Sequence, residues 1–321
     1  MSIASERDCG FPVQVSALRR EAEGVLGIDL CAVDGSSLPP WTPGAHLEIE
    51  LADGIVRHYS LCGGPQHGEP WRIAVLREPA SRGGSKLIHE SVSPGDIFTV
   101  RGPRNNFALV DAQRYLFVAG GIGITPILPM VHDVAARAKP WTLVYGGRTL
   151  TSMAFIGELS EISGGELHIM PEDEYGLLDL DHFLGAPRTD TAVYCCGPGP
   201  LIDAVERACD SWPAGALRLE RFTPRAVSNS VTDGEFAVEL ARSGTRLPVP
   251  ADKTLLEVLE DAGYDIDNSC RAGICGTCEL RVTHGVPEHN DDVLSDDERE
   301  SNQVILPCVS RSKSPLLIVD L

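Results

Sequence analysis

Residues 270–278 read Cys-Arg-Ala-Gly-Ile-Cys-Gly-Thr-Cys, and a further cysteine, Cys308, follows a long loop later. Four residues separate the first two cysteines of the stretch and two separate the next pair, which is the ligand spacing of plant-type [2Fe-2S] sites. Gly273 and Gly276 provide the backbone freedom that three converging thiolates require. The spacing predicts a redox protein that carries a [2Fe-2S] cluster. The predicted ligands are Cys270, Cys275, Cys278 and Cys308.

A structural zinc site is the main alternative for these cysteines. Such sites usually combine two close Cys or Cys/His pairs, whereas here only one Cys-x2-Cys pair exists and Cys308 stands alone. The other six of the ten cysteines, which include the neighbours Cys195 and Cys196, could form disulfides. Because the N-terminus does not resemble an export signal, reduced thiols are the better interpretation.

The composition restricts the possible partners and location. A net charge of −19 argues against binding to nucleic acid or to an anionic membrane, and favours a positively charged protein partner. The longest apolar stretch, residues 116–131, is interrupted by glycines and prolines and is a poor membrane span. We therefore expect a cytoplasmic protein.

The pattern along the chain predicts three domains. Residues 1–110 alternate short apolar runs with turn signals such as Pro43-Gly44, which predicts an antiparallel β-barrel or sandwich. Residues 111–224 repeat the order strand, turn, helix, which predicts an α/β domain with a parallel sheet. Residues 225–234 are rich in Ser, Asn and Thr and predict a linker. Residues 235–321 form the cysteine-containing domain, which holds 17 Asp and Glu against 8 Lys and Arg.

Two segments of the first domain are candidates for binding a phosphate. Arg57-His-Tyr-Ser60 ends a predicted strand, and Arg82-Gly-Gly-Ser85 precedes a helix-like stretch. Backbone N–H groups at the start of a helix, together with a serine hydroxyl and an arginine, form a favourable phosphate site. Taken singly, the first segment could be part of the core and the second only a turn.

Three strand ends of the second domain could line one crevice. The turn Gly120-Gly-Ile-Gly-Ile-Thr-Pro126 joins a strand to a helix, and its glycines would let a pyrophosphate approach the backbone. It is not the Gly-x-Gly-x-x-Gly pattern, and such a turn can be purely structural. The segments 145–148 and 195–198 close two other strands at the same edge of the sheet. Cys196 could also be only a small buried thiol.

Together these segments resemble a ferredoxin reductase-like flavin barrel followed by its nicotinamide domain. With the C-terminal cysteine pattern, the order of domains is similar to the phthalate dioxygenase reductase family over nearly the whole chain. The resemblance implies a C-terminal α+β ferredoxin domain of the β-grasp type. It also implies that Phe222, in Glu220-Arg-Phe222, lies against the flavin, and that Ser60 and Cys196 lie near the site of hydride transfer.

The resemblance assigns residues to two organic cofactors, and it requires no catalytic acid or base. The candidate flavin-binding residues are Arg57, His58, Tyr59, Ser60, Ala74, Val75, Arg82, Gly83, Gly84, Ser85, Thr125 and Phe222. The candidate NAD-binding residues are Gly121, Gly123, Thr125, Pro126, Arg148, Cys196, Gly197 and Pro198.

FMN is favoured over FAD because we find no aromatic segment that would bind an adenylate. NADH is favoured over NADPH. Arg148 could bind a 2′-phosphate, but the acidic run 172–174 would repel one.

The function implied by the resemblance is electron transfer from NADH through FMN and the [2Fe-2S] cluster to a Rieske non-haem iron oxygenase. Such a protein would accept a hydride at the flavin and release electrons singly, and we expect it to be a monomer. One alternative is a reductase for another monooxygenase or for a haem hydroxylase. Another is a non-enzymatic electron carrier or redox-sensing module.

Overall fold

The computed structural model describes residues 10–51, 54–64, 70–79, 83–225 and 234–321. The chain forms two compact units, Met1–Glu220 and Arg221–Leu321. The predicted domain boundary after residue 110 falls inside the first unit and stays a prediction. Arg82 and most of the predicted linker lie outside the described residues. None of the helices in the described part of the chain has the length and apolar character needed to cross a membrane.

An antiparallel sheet of six strands forms the N-terminal part of the first unit. Its elements are β1 (Phe11–Ala22), β2 (Val25–Ala32), β3 (His46–Glu50), β4 (Val56–Ser60), β5 (Trp71–Leu76), α1 (Gly84–Ser91) and β6 (Ile97–Arg104). The strand order is β4-β3-β6-β1-β2-β5. A bridge between Leu61, directly after β4, and Ile73 in β5 connects the two edges. The antiparallel barrel predicted from the turn pattern is confirmed.

Strand β5 is buried on both faces, and this positions the barrel against the rest of the unit. Ile73 and Val75 point into the barrel core. Ala74, which alternates with them, packs instead into a hydrophobic cluster shared with Phe117 and Ile127 of the second half of the unit. One hydrophobic cluster therefore spans the two halves of the first unit, next to the separate core of the barrel.

A parallel sheet of five strands forms the second half of the unit. Its strands are β7 (Arg114–Gly120), β8 (Trp141–Gly147), β9 (Gly165–Pro171), β10 (Thr191–Cys196) and β11 (Leu217–Glu220). Its helices are α2 (Ile124–Ala136), α3 (Ile156–Glu161), α4 (Glu172–Tyr175), α5 (Leu180–Leu184) and α6 (Gly199–Ala208). In the order β11-β10-β7-β8-β9, the chain builds outward from β7 in one direction through β8 and β9, and then in the other direction through β10 and β11, so the switch point lies between β7 and β10. Ligands of open α/β sheets bind at the carboxyl ends of the strands at such a point.

The second unit is an α+β domain around a mixed sheet. Its strands are β12 (Phe236–Leu240), β13 (Arg246–Val249), β14 (Leu280–His284), β15 (Pro287–Glu288), β16 (Val304–Ile305), β17 (Arg311–Ser312) and β18 (Leu316–Val319). Its helices are α7 (Leu255–Asp261) and α8 (Asp296–Ser301). The main sheet has the order β13-β12-β18-β14-β16. The side chain of Thr254 accepts from the N–H of Glu257 and caps α7. The apolar side of α7 is buried in the core of the unit.

Candidate cofactor sites

The four predicted cluster ligands meet in the second unit as two pairs of thiols. The sulfur atoms of Cys270 and Cys275 share a hydrogen bond, and those of Cys278 and Cys308 share another. The first bond, with a smaller contribution from the Thr277 hydroxyl, lowers the pKa of Cys275 to about 5. Within each pair the pKa of one thiol falls and that of its partner rises, as expected when two thiols share one proton. Each pair can therefore supply thiolate, the form that binds iron.

Pairing of the thiols bears on the choice between a cluster and a zinc ion. Zinc needs its four ligands around one position, whereas the four thiols here form two hydrogen-bonded pairs. A two-iron cluster instead takes four thiolates spread over two metal atoms. The arrangement of donors thus fits the predicted [2Fe-2S] cluster.

The backbone of the cysteine loop points several N–H groups at the sulfurs. The N–H of Ala272 donates to Cys270 Sγ over 3.3 Å, and the backbone N–H of Gly273 opposes the rise in the pKa of the Cys308 thiol. Gly273 has a φ of 70°, and a Cβ there would lie 2.6 Å from Val309 Cγ2 and 3.1 Å from Asp291 Cα. Only glycine fits this turn. Such N–H donors stabilise thiolate and tune the potential of a bound cluster.

The two predicted flavin phosphate segments come together in the barrel. A Cβ on Gly84 would lie 2.8 Å from both Cγ and Nε of Arg57, so the arginine lies directly over the first residue of α1. Gly83 caps this helix with a φ of 95°. The Ser85 hydroxyl accepts from the N–H of Glu78. The geometry places a guanidinium beside a helix N-terminus, which fits a phosphate monoester. Arg82 lies outside the described residues.

The other candidate flavin residues occupy different environments. Tyr59 is mostly buried, and burial raises the pKa of its phenol to about 12 despite the nearby Arg57. Ser60 is buried at the end of β4, two positions after the half-buried His58. Thr125 is buried at the start of α2, and its hydroxyl donates to the carbonyl of Ile122 over 2.9 Å.

The two candidate residues of β5 differ from each other. Ala74 faces the core shared with the α/β half. The side chain of Val75 instead faces the barrel core, and its carbonyl is 2.8 Å from His89 Nε2.

The glycine turn after β7 packs against the turn after β10. A Cβ on Gly123 would lie 2.3 Å from the carbonyl oxygen of Cys196 and 2.7 Å from the nitrogen of Gly197. A Cβ on Gly120 would lie 2.7 Å from Pro198 Cδ. The turn that contains Gly121 and Gly123 leads into α2, whose first residues include Pro126. The predicted nicotinamide residues of these two strands therefore meet where the strand order reverses.

Arg148 lies just beyond β8 and is exposed. Its carbonyl accepts from the N–H of Asp173 over 3.2 Å. Glu172, Asp173 and Glu174 form the first turn of α4 and are exposed beside it. Three carboxylates at this point favour a ribose without a 2′-phosphate.

Glu220 is a site residue that the sequence reasoning did not select. It ends β11 and lies opposite Cys196 in the parallel pairing of β10 and β11. Burial raises the pKa of its carboxyl to about 8, and its Oε2 has no hydrogen-bond partner among the described residues. Burial, followed by the charges of Glu220 and Cys195, raises the pKa of the Cys196 thiol well above its usual value. The sequence feature that could have identified Glu220 is an acidic residue at the end of the strand that follows the one ending in Cys196.

Phe222 lies at the start of the second unit and is 40% exposed. Its predicted contact with the flavin stays a prediction.

The geometry of these sites fits one class of protein, a redox protein that combines a flavin barrel, a nicotinamide domain and a [2Fe-2S] domain. The family described as "2Fe-2S iron-sulfur cluster binding domain" matches residues 238–313. The reductase subunit of phthalate 4,5-dioxygenase from Pseudomonas putida is 38% identical over 327 residues, which cover 100% of both chains.

Several solved structures are similar over 97% of this chain, and two of them differ in kind. Phthalate dioxygenase reductase, described as a modular structure for electron transfer from pyridine nucleotides to [2Fe-2S], matches at 35% identity with a TM-score of 0.68 over 98% of that chain. An intact type IV self-sufficient cytochrome P450 monooxygenase matches at 38% identity with a TM-score of 0.92. This chain spans only 41% of the length of that P450.

The chain belongs to the phthalate dioxygenase reductase family. It is an electron-transferring oxidoreductase, a reductase component of a multicomponent oxygenase system. The cofactors predicted from the sequence, FMN, NADH and a [2Fe-2S] cluster, are those of this family. The predicted oxygenase partner is supported at this general level.

Proposed function

We propose that this chain is the NADH-dependent reductase of a Rieske non-haem iron oxygenase or demethylase that acts on an aromatic compound. The contact of Gly123 with the carbonyl of Cys196 carries the proposal. It brings two cofactor-binding turns together at the point where ligands of such sheets bind. The same compact unit contains the Arg57 and Gly84 phosphate site.

Each half of the first unit contributes a distinct binding task. In the barrel, Arg57 would neutralise the phosphate of a bound FMN, and the N–H groups at the start of α1 would donate hydrogen bonds to the same phosphate. In the α/β half, the Gly120–Gly123 turn admits a pyrophosphate, and Cys196 and Pro198 form a wall of the nicotinamide site. When bound, NADH supplies a hydride and FMN divides its electron pair into single electrons. The residues mainly position these groups.

Glu220 contributes a protonated, neutral carboxyl group to the nicotinamide site. With a pKa of about 8, its carboxyl is mainly neutral at pH 7 and holds a proton that Oε2 can donate. A neutral carboxyl beside Cys196 avoids placing a negative charge next to an incoming hydride donor.

The nature of the electron acceptor is tested with two probes. The purified protein, reduced anaerobically with NADH, is mixed with a phthalate-type Rieske oxygenase or with the isolated haem domain of a self-sufficient P450. We expect the Rieske centre to be reduced faster than the haem. Reduction of the haem alone would contradict the proposal. The likeness to the reductase part of a P450 makes a haem acceptor the second candidate.

Three finer features belong to the same proposal. The acids around α4 favour NADH, so kcat/KM should be higher for NADH than for NADPH.

The protein should be a monomer, which light scattering during size-exclusion chromatography measures directly. The nine described cysteines form no disulfide with one another, which favours the reducing environment of the cytoplasm.

A further inference from the structure

The first residues of the second unit are attached to the cluster loop through one carboxylate. Arg225 Nε lies 2.6 Å from Asp292 Oδ1, and the N–H of Arg225 donates to Asp292 Oδ2 over 3.3 Å. Arg221 Nε lies 3.7 Å from the same Oδ1. The side chains of Arg221 and Asp292 are only 4% and 7% exposed. Ion pairs on exposed surfaces contribute little. The Arg221 pair is largely removed from water, whereas the side chain of Arg225 is 52% exposed.

Asp292 also contacts the cluster loop through its backbone. Its N–H donates to the carbonyl of Gly273 over 2.9 Å, and Gly273 lies inside the cysteine stretch 270–278. A continuous set of contacts thus runs from Arg221 and Arg225 through Asp292 to the backbone of the cluster loop.

The neighbouring Asp291 has a different task. Its carboxylate accepts from the N–H groups of Val293 and Leu294 and stabilises the local fold of the loop. Asp292 is therefore the residue of the two that ties the loop to a distant segment, since Arg225 lies 67 positions away in the chain.

The position of Arg221 in the chain means that its contact with Asp292 shortens the connection between β11 and the cluster loop. Arg221 directly follows Glu220, the last residue of β11 in the nicotinamide half of the first unit. With Asp292 bound to Arg221 and Arg225, the cluster loop is connected to β11 almost without intervening chain. If that contact opened, only the segment that includes the predicted linker, residues 225–234, would connect them. A shorter connection raises the effective concentration of one redox site at the other.

We propose that Asp292 is a positioning residue for electron transfer: by binding Arg221 and Arg225 it keeps the [2Fe-2S] loop on a short tether to the nicotinamide domain. The inference rests on the electron path of the proposed function. It goes beyond that function because it assigns the transfer step from flavin to cluster to an ion pair that touches neither cofactor.

The test uses the holoprotein with Asp292→Asn, which keeps the backbone contact to Gly273, and Arg225→Gln, which leaves the cluster loop unchanged. Asp320→Asn is the matched control, because Arg242 and Asp320 form an exposed ion pair at 3.1 Å in the same unit. Stopped-flow absorbance after mixing with NADH measures flavin reduction and cluster reduction separately. EPR spectra and iron content report whether the cluster itself is intact.

We expect Asp292→Asn and Arg225→Gln to slow cluster reduction by about tenfold or more, with flavin reduction, iron content and EPR spectrum unchanged. Asp320→Asn should transfer electrons at the wild-type rate. Cluster reduction at the wild-type rate in both test variants would overturn the proposal. An altered EPR spectrum or loss of iron in both would also overturn it, because the ion pair would then serve the fold of the loop. Loss of flavin reduction in the wild-type protein would instead contradict the proposed function.

A readout that needs no cofactor comes from trypsin. The side chain of Arg221 is almost fully buried in its contact with Asp292, so cleavage after it should be slow in the wild type. Cleavage should accelerate in Asp292→Asn and stay slow in Asp320→Asn, as followed by mass spectrometry of the fragments. Equal cleavage rates after Arg221 in all three proteins would contradict the tether.

Discussion

The nicotinamide turn and the iron-sulfur loop reach a defined geometry in opposite ways. At the nicotinamide turn, backbone meets backbone, and a Cβ on Gly123 would lie 2.3 Å from the carbonyl oxygen of Cys196. At the iron-sulfur loop, side chains meet in pairs, Cys270 with Cys275 and Cys278 with Cys308. The nicotinamide turn depends on a glycine that has no Cβ, and the iron-sulfur loop depends on four cysteine sulfur atoms. They should therefore fail under different substitutions and at different steps of electron transfer.

The largest effect is expected from removal of a cluster ligand. Cys275→Ser takes away a thiol whose pKa is lowered to about 5 and leaves the first unit unchanged. Reduction of cytochrome c, which needs the cluster, should be abolished, while NADH should still reduce the flavin. Steady-state cytochrome c assays and anaerobic flavin bleaching measure the two steps. Equal loss of both activities would contradict the assigned order.

A methyl group at the nicotinamide turn should produce the complementary defect. Gly123→Ala forces the backbones of β7 and β10 apart and should cost about 1–3 kcal/mol of unfolding free energy. NADH-dependent flavin reduction should fall sharply, whereas chemical reduction of the cluster by dithionite should be unaffected. Gly157→Ala in α3 is the control, because a Cβ there meets nothing within 4 Å. Similar losses in both variants would show that the close approach at Gly123 is unimportant.

Glu220 tests whether a side chain also matters at the nicotinamide turn. Its folded-state pKa is raised by burial to about 8, so the folded protein binds a proton that the unfolded chain releases near pH 4.5. Stability from this group is thus greatest below pH 4.5 and declines as the pH rises towards 8. Wild-type flavin reduction should also slow above pH 8, when the carboxyl ionises beside Cys196.

Glu220→Gln keeps the shape and cannot ionise, so it should flatten both pH profiles. Stopped-flow rates and urea titrations between pH 6 and 9 provide the measurement. Unchanged profiles in the variant would assign the titration to another group.

A smaller effect is expected where the barrel meets the nicotinamide half. Glu158 Oε2 lies 2.7 Å from Arg72 Nη1, and Oε1 lies 2.9 Å from His132 Nε2. Burial opposes ionisation of Glu158, but hydrogen bonds from His132 and Arg72 outweigh it and lower the pKa. The stability that it contributes should be present above the unfolded-state pKa near 4.5 and be lost as the pH falls.

Glu158→Gln should cost about 1–2 kcal/mol at pH 7, with the cost vanishing in acid. Denaturant unfolding at several pH values measures it. Glu161→Gln, on an exposed position of the same helix, is the control and should change little. A pH-independent cost for Glu158→Gln would mean that the ion pair is not its cause.

The sequence predicted the parts of the molecule that depend on local pattern. The helix expected after the glycine turn that ends at Pro126 is α2, Ile124–Ala136, because the turn and the apolar residues that follow it are local signals. The spacing of the cysteines likewise predicted which thiols meet. Gly123 and Cys196 lie far apart in the chain, but parallel-sheet logic predicted their common edge.

Contacts between side chains distant in the chain could not be predicted in this way. Asp292 lies in a run of acids and reads as a solvated position, and nothing local distinguishes it from Asp291. Its partner Arg225 lies 67 residues away. Glu158 and Arg72 are 86 residues apart. Such pairs form only because two domains or two loops are packed together, and the periodicity of the sequence does not predict that packing.

The central claim is that electrons enter at the nicotinamide turn and leave through the iron-sulfur loop. An anaerobic titration of the purified protein with NADH tests it most directly, with flavin absorbance and the EPR signal of the reduced cluster recorded together. The account predicts that the flavin bleaches and that the cluster signal grows as NADH is added. Bleaching of the flavin without any cluster signal would contradict it.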